Sequence, residues 1–138
     1  MIVGRRKMTR MDVLSSRILV HPSDPERSRR FYRDTLGLAV HREFGPAADP
    51  GLVFFLGGGF LELSGRADGP KDGPTSLWLQ VRDVDAEHTR LRAAGVTISR
   101  EPRQEPWGLY EMWLEDPDGL RIVMVQVPDD HPLRRDQR

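Results

Sequence analysis

The sequence predicts an α+β domain of two βαβββ modules, whose curved mixed sheets form around a concave cavity. Three observations predict it. The order strand, helix, three strands is read twice along the 138 residues. The two helices have matched ends, Asp24 to Gly37 and Asp83 to Gly95. A polar stretch rich in Gly and Pro, GRADGPKDGP at 65–74, separates the two readings. A repeat of this size means two similar units rather than one six-stranded meander, and the pattern alone leaves a plain α+β sandwich open.

Apolar alternation from Val13 through Ile18 and Val20 predicts the first strand, which Pro22 stops. Asp24 can cap the helix that follows. Pro25 suits its first position, where a missing N–H costs nothing. That helix puts Phe31, Tyr32 and Leu36 on roughly one face, and Gly37 ends it. LAVHREF, GLVFFL and FLELS are the next strands, the last two joined by a hairpin at Gly57–Gly58–Gly59. In the second module SLWLQV is a strand, and Asp83 opens the helix DVDAEHTRLRAAG with Leu91 and Ala94 inward. VTISRE, LYEMWLED and RIVMVQV complete it, with DPDG at 116–119 turning the final pair. The expected layout is a flexible extension at 1–11, one domain at 12–128 and a flexible tail at 129–138. Within the domain, module one covers about 12–64, the linker 65–74 and module two 75–128.

Composition narrows the function. Hydrophobic residues make up 38%, enough for one core, and 21 basic residues balance 21 acidic ones. A net charge near zero offers no footprint for nucleic acid or an anionic membrane, and argues against a strongly cationic ligand. Cysteine is absent, which excludes disulfides, thiolate metal sites and a Cys nucleophile. No apolar run approaches the roughly 20 residues that span a bilayer, and MIVGRRKMTRM lacks the apolar stretch of a signal peptide. The expected location is cytoplasmic. Gly57–Gly59 is a turn rather than a phosphate cradle, because no helix with Lys-Ser/Thr follows it. Ser64 and Ser76 lack an evident His–Asp triad.

Several segments resemble one superfamily. SDPERSRRFYRDTLGL is similar to the first-helix signature of the vicinal oxygen chelate proteins, which include glyoxalases, ring-cleaving dioxygenases and bleomycin-resistance proteins. VRDVDAEHTRLRAAGV resembles its second-module counterpart, and PWG followed by DPDG resembles the antibiotic-binding branch. The likeness runs from about Val13 to Val127 and rests on the order and spacing of short motifs. It implies the doubled fold and a homodimer, but no particular reaction.

The resemblance also implies where a metal would sit. Relatives that use one place His or Gln on the first strand and Glu on the fourth strand of each half. In this sequence those positions fall on Arg17, Glu62, Ser76 and Val123. Only Glu62 is a good donor: Arg has no lone pair to give, Val has no donor atom, and a serine hydroxyl binds weakly. No metal or other cofactor is therefore expected. His21 shares the face of Arg17 and is the one histidine placed to join Glu62 in a displaced site. His41, His88 and His131 read as surface or structural residues.

Alternation then lists the inward residues. They are Arg17, His21, Phe60, Glu62, Ser76, Trp78 and Gln80, with Glu111 and Trp113 by the phase the resemblance implies. Phe55 joins them across the glycine hairpin, and Trp107 lies at the mouth with Tyr110 close by. Trp78 and Trp113 would offer flat π surfaces to a planar ligand, and the polar groups would orient it. The expected function is non-catalytic binding that sequesters an aromatic or conjugated antibiotic or other natural product. The alternative is an enzyme of the same superfamily, metal-dependent or using Glu62 beside Arg17 for proton transfer. Taken alone, either indole is more safely read as a core residue; the pair, on strands expected to line one concavity, favours the ligand reading. The two charges Arg17 and Glu62 are expected to pair as a two-point fork.

Overall fold

Two aspartates set where the helices begin. The Asp24 carboxylate accepts from the Arg27 N–H at 3.2 Å, and Pro25 takes the first helical position. Helix α1 (Pro25–Arg29) then widens into a π-helical stretch, Arg30–Thr35. Leu36 N–H donates to Phe31 O at 2.7 Å, so these two residues fall into line. The widened turn lets Phe31, Tyr32 and Leu36 all be buried, and Gly37 ends it in the left-handed region at φ +81°. Asp83 accepts from the Ala86 N–H at 3.0 Å and opens α2 (Val84–Ala93), which buries Val84 and Leu91.

The computed structural model describes residues 10, 12–68 and 73–135. Most of the expected extension (1–9 and 11), the linker's 69–72 and the tail's 136–138 lie outside the described residues. In the described tail, α3 (Pro132–Arg135) forms one short helical turn. No described helix is long and apolar enough to cross a membrane.

The doubled pattern is present. The first sheet holds β1 (Arg17–Val20), β2 (Val40–Phe44), β3 (Gly51–Leu56) and β4 (Gly59–Leu63), in the order β1-β4-β3-β2. The second holds β5 (Ser76–Gln80), β6 (Ile98–Gln104), β7 (Tyr110–Glu115) and β8 (Arg121–Gln126), in the matching order β5-β8-β7-β6. In each, the first strand runs parallel to the fourth and the others pair antiparallel. One expectation needs correction: the first strand starts at Arg17, not near Val13. Its partner β4 begins only at Gly59, after the glycine turn, so residues 13–16 have no ladder to join. Val13 and Leu14 are exposed instead.

Alternation divides each sheet into two faces. Leu52, Phe54, Leu61 and Leu63 of the first sheet bury in one cluster with Phe31, Tyr32 and Leu36. Leu77, Met112, Leu114, Ile122 and Met124 of the second continue that same cluster around Val84 and Leu91. The intervening residues look away from the helices, and they carry the candidate site.

Polar contacts tie the halves together. Tyr32 donates its hydroxyl to Asp116 Oδ2 at 2.7 Å, while the N–H groups of Asp118 and Leu120 donate to Oδ1 at 2.8 and 2.9 Å. Asp118 in turn accepts from the Ser23 N–H at 3.0 Å, the Ser23 hydroxyl and Arg27 Nη2. Burial, then the Asp116 charge, pushes the Tyr32 hydroxyl pKa far above its ordinary value, so it stays a donor. Tyr32→Phe should lower stability by about 1–3 kcal/mol, because the ring stays while a buried carboxylate oxygen loses its donor. Urea unfolding of both proteins checks this, and an unchanged midpoint would contradict it.

Candidate functional site

On the open face of the first sheet, Arg17 and Glu62 meet. Arg17 Nη1 donates to Glu62 Oε1 at 2.8 Å, and the Ser64 hydroxyl donates to Glu62 Oε2 at 2.8 Å. The guanidinium thus engages one oxygen rather than forming the expected two-point fork, because Ser64 occupies the other. These two hydrogen bonds, Ser64 first, hold the Glu62 carboxyl below its ordinary pKa. His21 does not join Glu62 through Nδ1. That nitrogen lies 2.8 Å from the Ser64 carbonyl, which can only accept, so it is the protonated one. His41 is exposed, as expected, and also sits with rings. The β2 register shifts between Val40 and Arg42, and the His41 ring stands 4.7 Å from Phe55 and 4.8 Å from Phe60, centroid to centroid.

On the second sheet, Trp78, Val123, Trp113 and Arg100 form one row across β5, β8, β7 and β6. Trp78 is 49% exposed. Trp113 is differently placed. Arg100 lies 3.8 Å and Arg121 4.4 Å from its ring centre, so its π surface is already faced by guanidinium groups. The buried Glu111 carboxylate accepts from Trp107 Nε1 at 2.8 Å and Trp113 Nε1 at 3.3 Å. Buried Glu105 pairs with Arg100 and, at 3.4 Å, with Arg103. Trp107 stands on a tight turn closed by Gly108 N–H to Glu105 O at 2.9 Å, with His131 Nε2 3.1 Å from the Trp107 carbonyl.

Tyr110, expected beside the mouth, turns to the other side. Its ring packs on the main core and its hydroxyl donates to Asp85 of α2 at 2.7 Å, a bond that raises its pKa. Sequence reasoning did not single out Arg100, Arg103, Glu105 or Arg121. Arg121 was within reach, since it lies one same-face step before Val123. The β6 residues were not, because register shifts around Arg100 break the two-residue period.

A cavity of about 700 Å³ opens between the edge strands β1 and β5, beside the 57–59 turn. Arg17, Ile18, Phe55, Phe60, Trp78 and Gln80 are among the residues lining it. The metal positions of the superfamily do not suit an ion here. Arg17 brings a fixed positive charge to the one carboxylate, and Ser76 and Val123 add at most one weak donor. Among the described residues, no group of three or more His, Asp or Glu side chains is gathered as a metal site would need.

A depressed carboxyl pKa in the fold contributes stability above the ordinary carboxylate range and loses it as pH falls through the lowered value. Glu62→Gln should therefore narrow its gap to the parent protein as the pH drops below about 4. Thermal unfolding from pH 7 to pH 3 reads this, and a gap that widens on acidification would contradict it.

The sequence pattern of the Glyoxalase/Bleomycin resistance protein/Dioxygenase superfamily matches residues 16–124. No curated protein matches the chain. Among solved structures, a member of that superfamily from Sphaerobacter thermophilus DSM 20745 is 28% identical with a TM-score of 0.64, over 86% of this chain and 99% of its own. A glyoxalase/bleomycin resistance protein from Streptomyces sp. CB03234 is 27% identical with a TM-score of 0.65, over 81% of this chain and 99% of its own. TnmS3, an antibiotic binding protein from the same organism, shares the fold at 24% identity and a TM-score of 0.67, over 88% of this chain and 100% of its own. With the family pattern covering both modules and the doubled sheet order in place, the chain belongs to the glyoxalase/bleomycin resistance protein/dioxygenase superfamily.

Proposed function

We propose that this chain is a small-molecule binding protein that takes up a planar aromatic or conjugated natural product, such as an antibiotic, and lowers its free concentration. The observation that carries the reading is Trp78. It is a large indole left 49% exposed on the wall of a cavity of about 700 Å³. Leaving about half of an indole in water forgoes about 2–3 kcal/mol of burial on the usual ~25 cal/mol per Å² scale, and a stacked ring restores that contact. Phe55 and Phe60 extend the apolar wall, while Arg17 and Gln80 supply polar groups on the same cavity. The superfamily includes bleomycin resistance proteins, and TnmS3, similar in fold, is an antibiotic binding protein. Sequestration needs neither a nucleophile nor a metal, which agrees with the Arg17–Glu62 pair standing where relatives hold donors.

Trp113 has a different part in this reading. Its ring is already faced by Arg100 and Arg121 and its N–H braces Glu111, so it is not the surface that stacks on the guest. Trp78→Ala should weaken a confirmed planar ligand by about 0.5–1.5 kcal/mol for the aromatic contact, with more from lost burial. Fluorescence quenching with aromatic natural products, run with and without EDTA, makes the measurement. Full affinity in Trp78→Ala would end the stacking idea, and binding lost on adding EDTA would point to a metal instead.

The reading also includes a homodimer. Ile18 and Leu19, on the unpaired edge of β1, are 43% and 57% exposed. An apolar edge of this kind invites cover by a second copy. Light scattering at micromolar concentration should give twice the chain mass, and a monomer there would contradict this.

A further inference from the structure

The charges near Trp78 are unevenly matched. Arg17 is paired with Glu62, and Arg100 and Arg103 share Glu105. Arg121 differs. It is exposed, and among the described residues no carboxylate lies within ion-pair distance of it. Glu115, its register partner on β7, aims its carboxylate toward Gly119, with Oε1 3.8 Å from where a Cβ would stand there. The Arg121 guanidinium instead leans over Trp113, 4.4 Å from the ring centre, where Arg100 is already seated at 3.8 Å. Two cations on one indole repel each other. Burial first, then Arg103 and more weakly Arg121, hold the Arg100 guanidinium below its ordinary pKa, against the pull of Glu111.

Ser76 is the register partner of Arg121 across the parallel β5–β8 pair. Both line a small polar hollow of about 260 Å³, together with Ser99, Gly119 and Glu115. Trp78 is the next residue on the Ser76 face of β5, about 7 Å along the strand. A hydroxyl donor, an unmatched guanidinium and an exposed indole therefore lie within the length of one fused-ring molecule. We propose that the ligand of this protein is an aromatic acid, with its ring on Trp78 and its carboxylate or acidic phenol oxygen on Arg121 and Ser76. The anion takes a charge-assisted bond from the guanidinium and relieves the repulsion between Arg121 and Arg100.

This rests on the reading of Trp78 as the stacking surface, and a matched pair of probes separates the two ideas. Calorimetry with 2-naphthoate and 2-naphthamide compares the same ring with and without the charge. The parent protein should bind the acid at least about tenfold more tightly than the amide, the share expected of a hydrogen bond to a charged group. Arg121→Gln should bring the acid down to the level of the amide and leave the amide unchanged, which also shows that the variant is folded. Trp78→Ala should weaken both. Equal affinity for acid and amide in the parent protein, or a preference that survives Arg121→Gln, overturns the aromatic acid while leaving aromatic binding in place. Binding of neither probe overturns the stacking surface, and this proposal with it.

Discussion

The buried Asp116 carboxylate is the joint on which the arrangement of the two halves depends. It takes the Tyr32 hydroxyl from the first half, and it takes two N–H groups from the turn that carries it. A carboxylate out of water is tolerated only when its lone pairs are filled, and three donors fill them. The neighbouring Asp118 gathers Ser23 and Arg27, so the start of α1 is tied to the same turn. Arg90 of α2 adds bonds to the carbonyls of Thr35 and Leu36 at 2.7 and 3.1 Å. These bonds join elements distant in sequence and lie beside a core that both halves share. They tie the helices and turns of one half to those of the other.

That geometry explains why the open faces look as they do. Each sheet spends one face on the shared core and leaves the other for polar and aromatic side chains. Charged groups there are largely neutralised within the protein, as in Arg17 with Glu62 and Arg100 with Glu105. Buried or half-buried charges left alone would be costly, and pairing removes most of that cost without adding a reactive group. What remains available is apolar surface at Trp78 and Phe55 and a cation at Arg121. These are the groups on which the proposed binding role rests.

Much of the fold was legible because period and punctuation agree. Asp24, Pro25 and Gly37 mark a helix by capping chemistry alone, and Asp83 repeats the signal. In the second sheet β5, β7 and β8 keep two-residue alternation, which placed Trp78, while the phase that put Glu111 and Trp113 on the same face came from the family resemblance. Where the period breaks, the reading failed. His41 and Arg100 both lie at register irregularities, and neither was foreseen among the aromatic and charged groups it joins. Alternation also says which face a ring occupies, but not what covers it. Trp113 was therefore read as an open surface, when the long side chains of Arg100 and Arg121 lie over it. Tyr110 was grouped with the PWG loop by closeness in sequence, although its alternation places it opposite Glu111.

The account turns on Trp78 being the indole that meets the guest. Trp107 and Trp113 donate their N–H groups to Glu111, so the three indoles have distinct surroundings and should give distinct Nε1–H resonances. Titrating a planar aromatic ligand against uniformly ¹⁵N-labelled protein, with each indole assigned by substitution, tests this directly. The Trp78 resonance should move most, by ring-current shielding, while those of Trp107 and Trp113 move less. A Trp78 signal that stays in place while either of the others shifts would contradict the account.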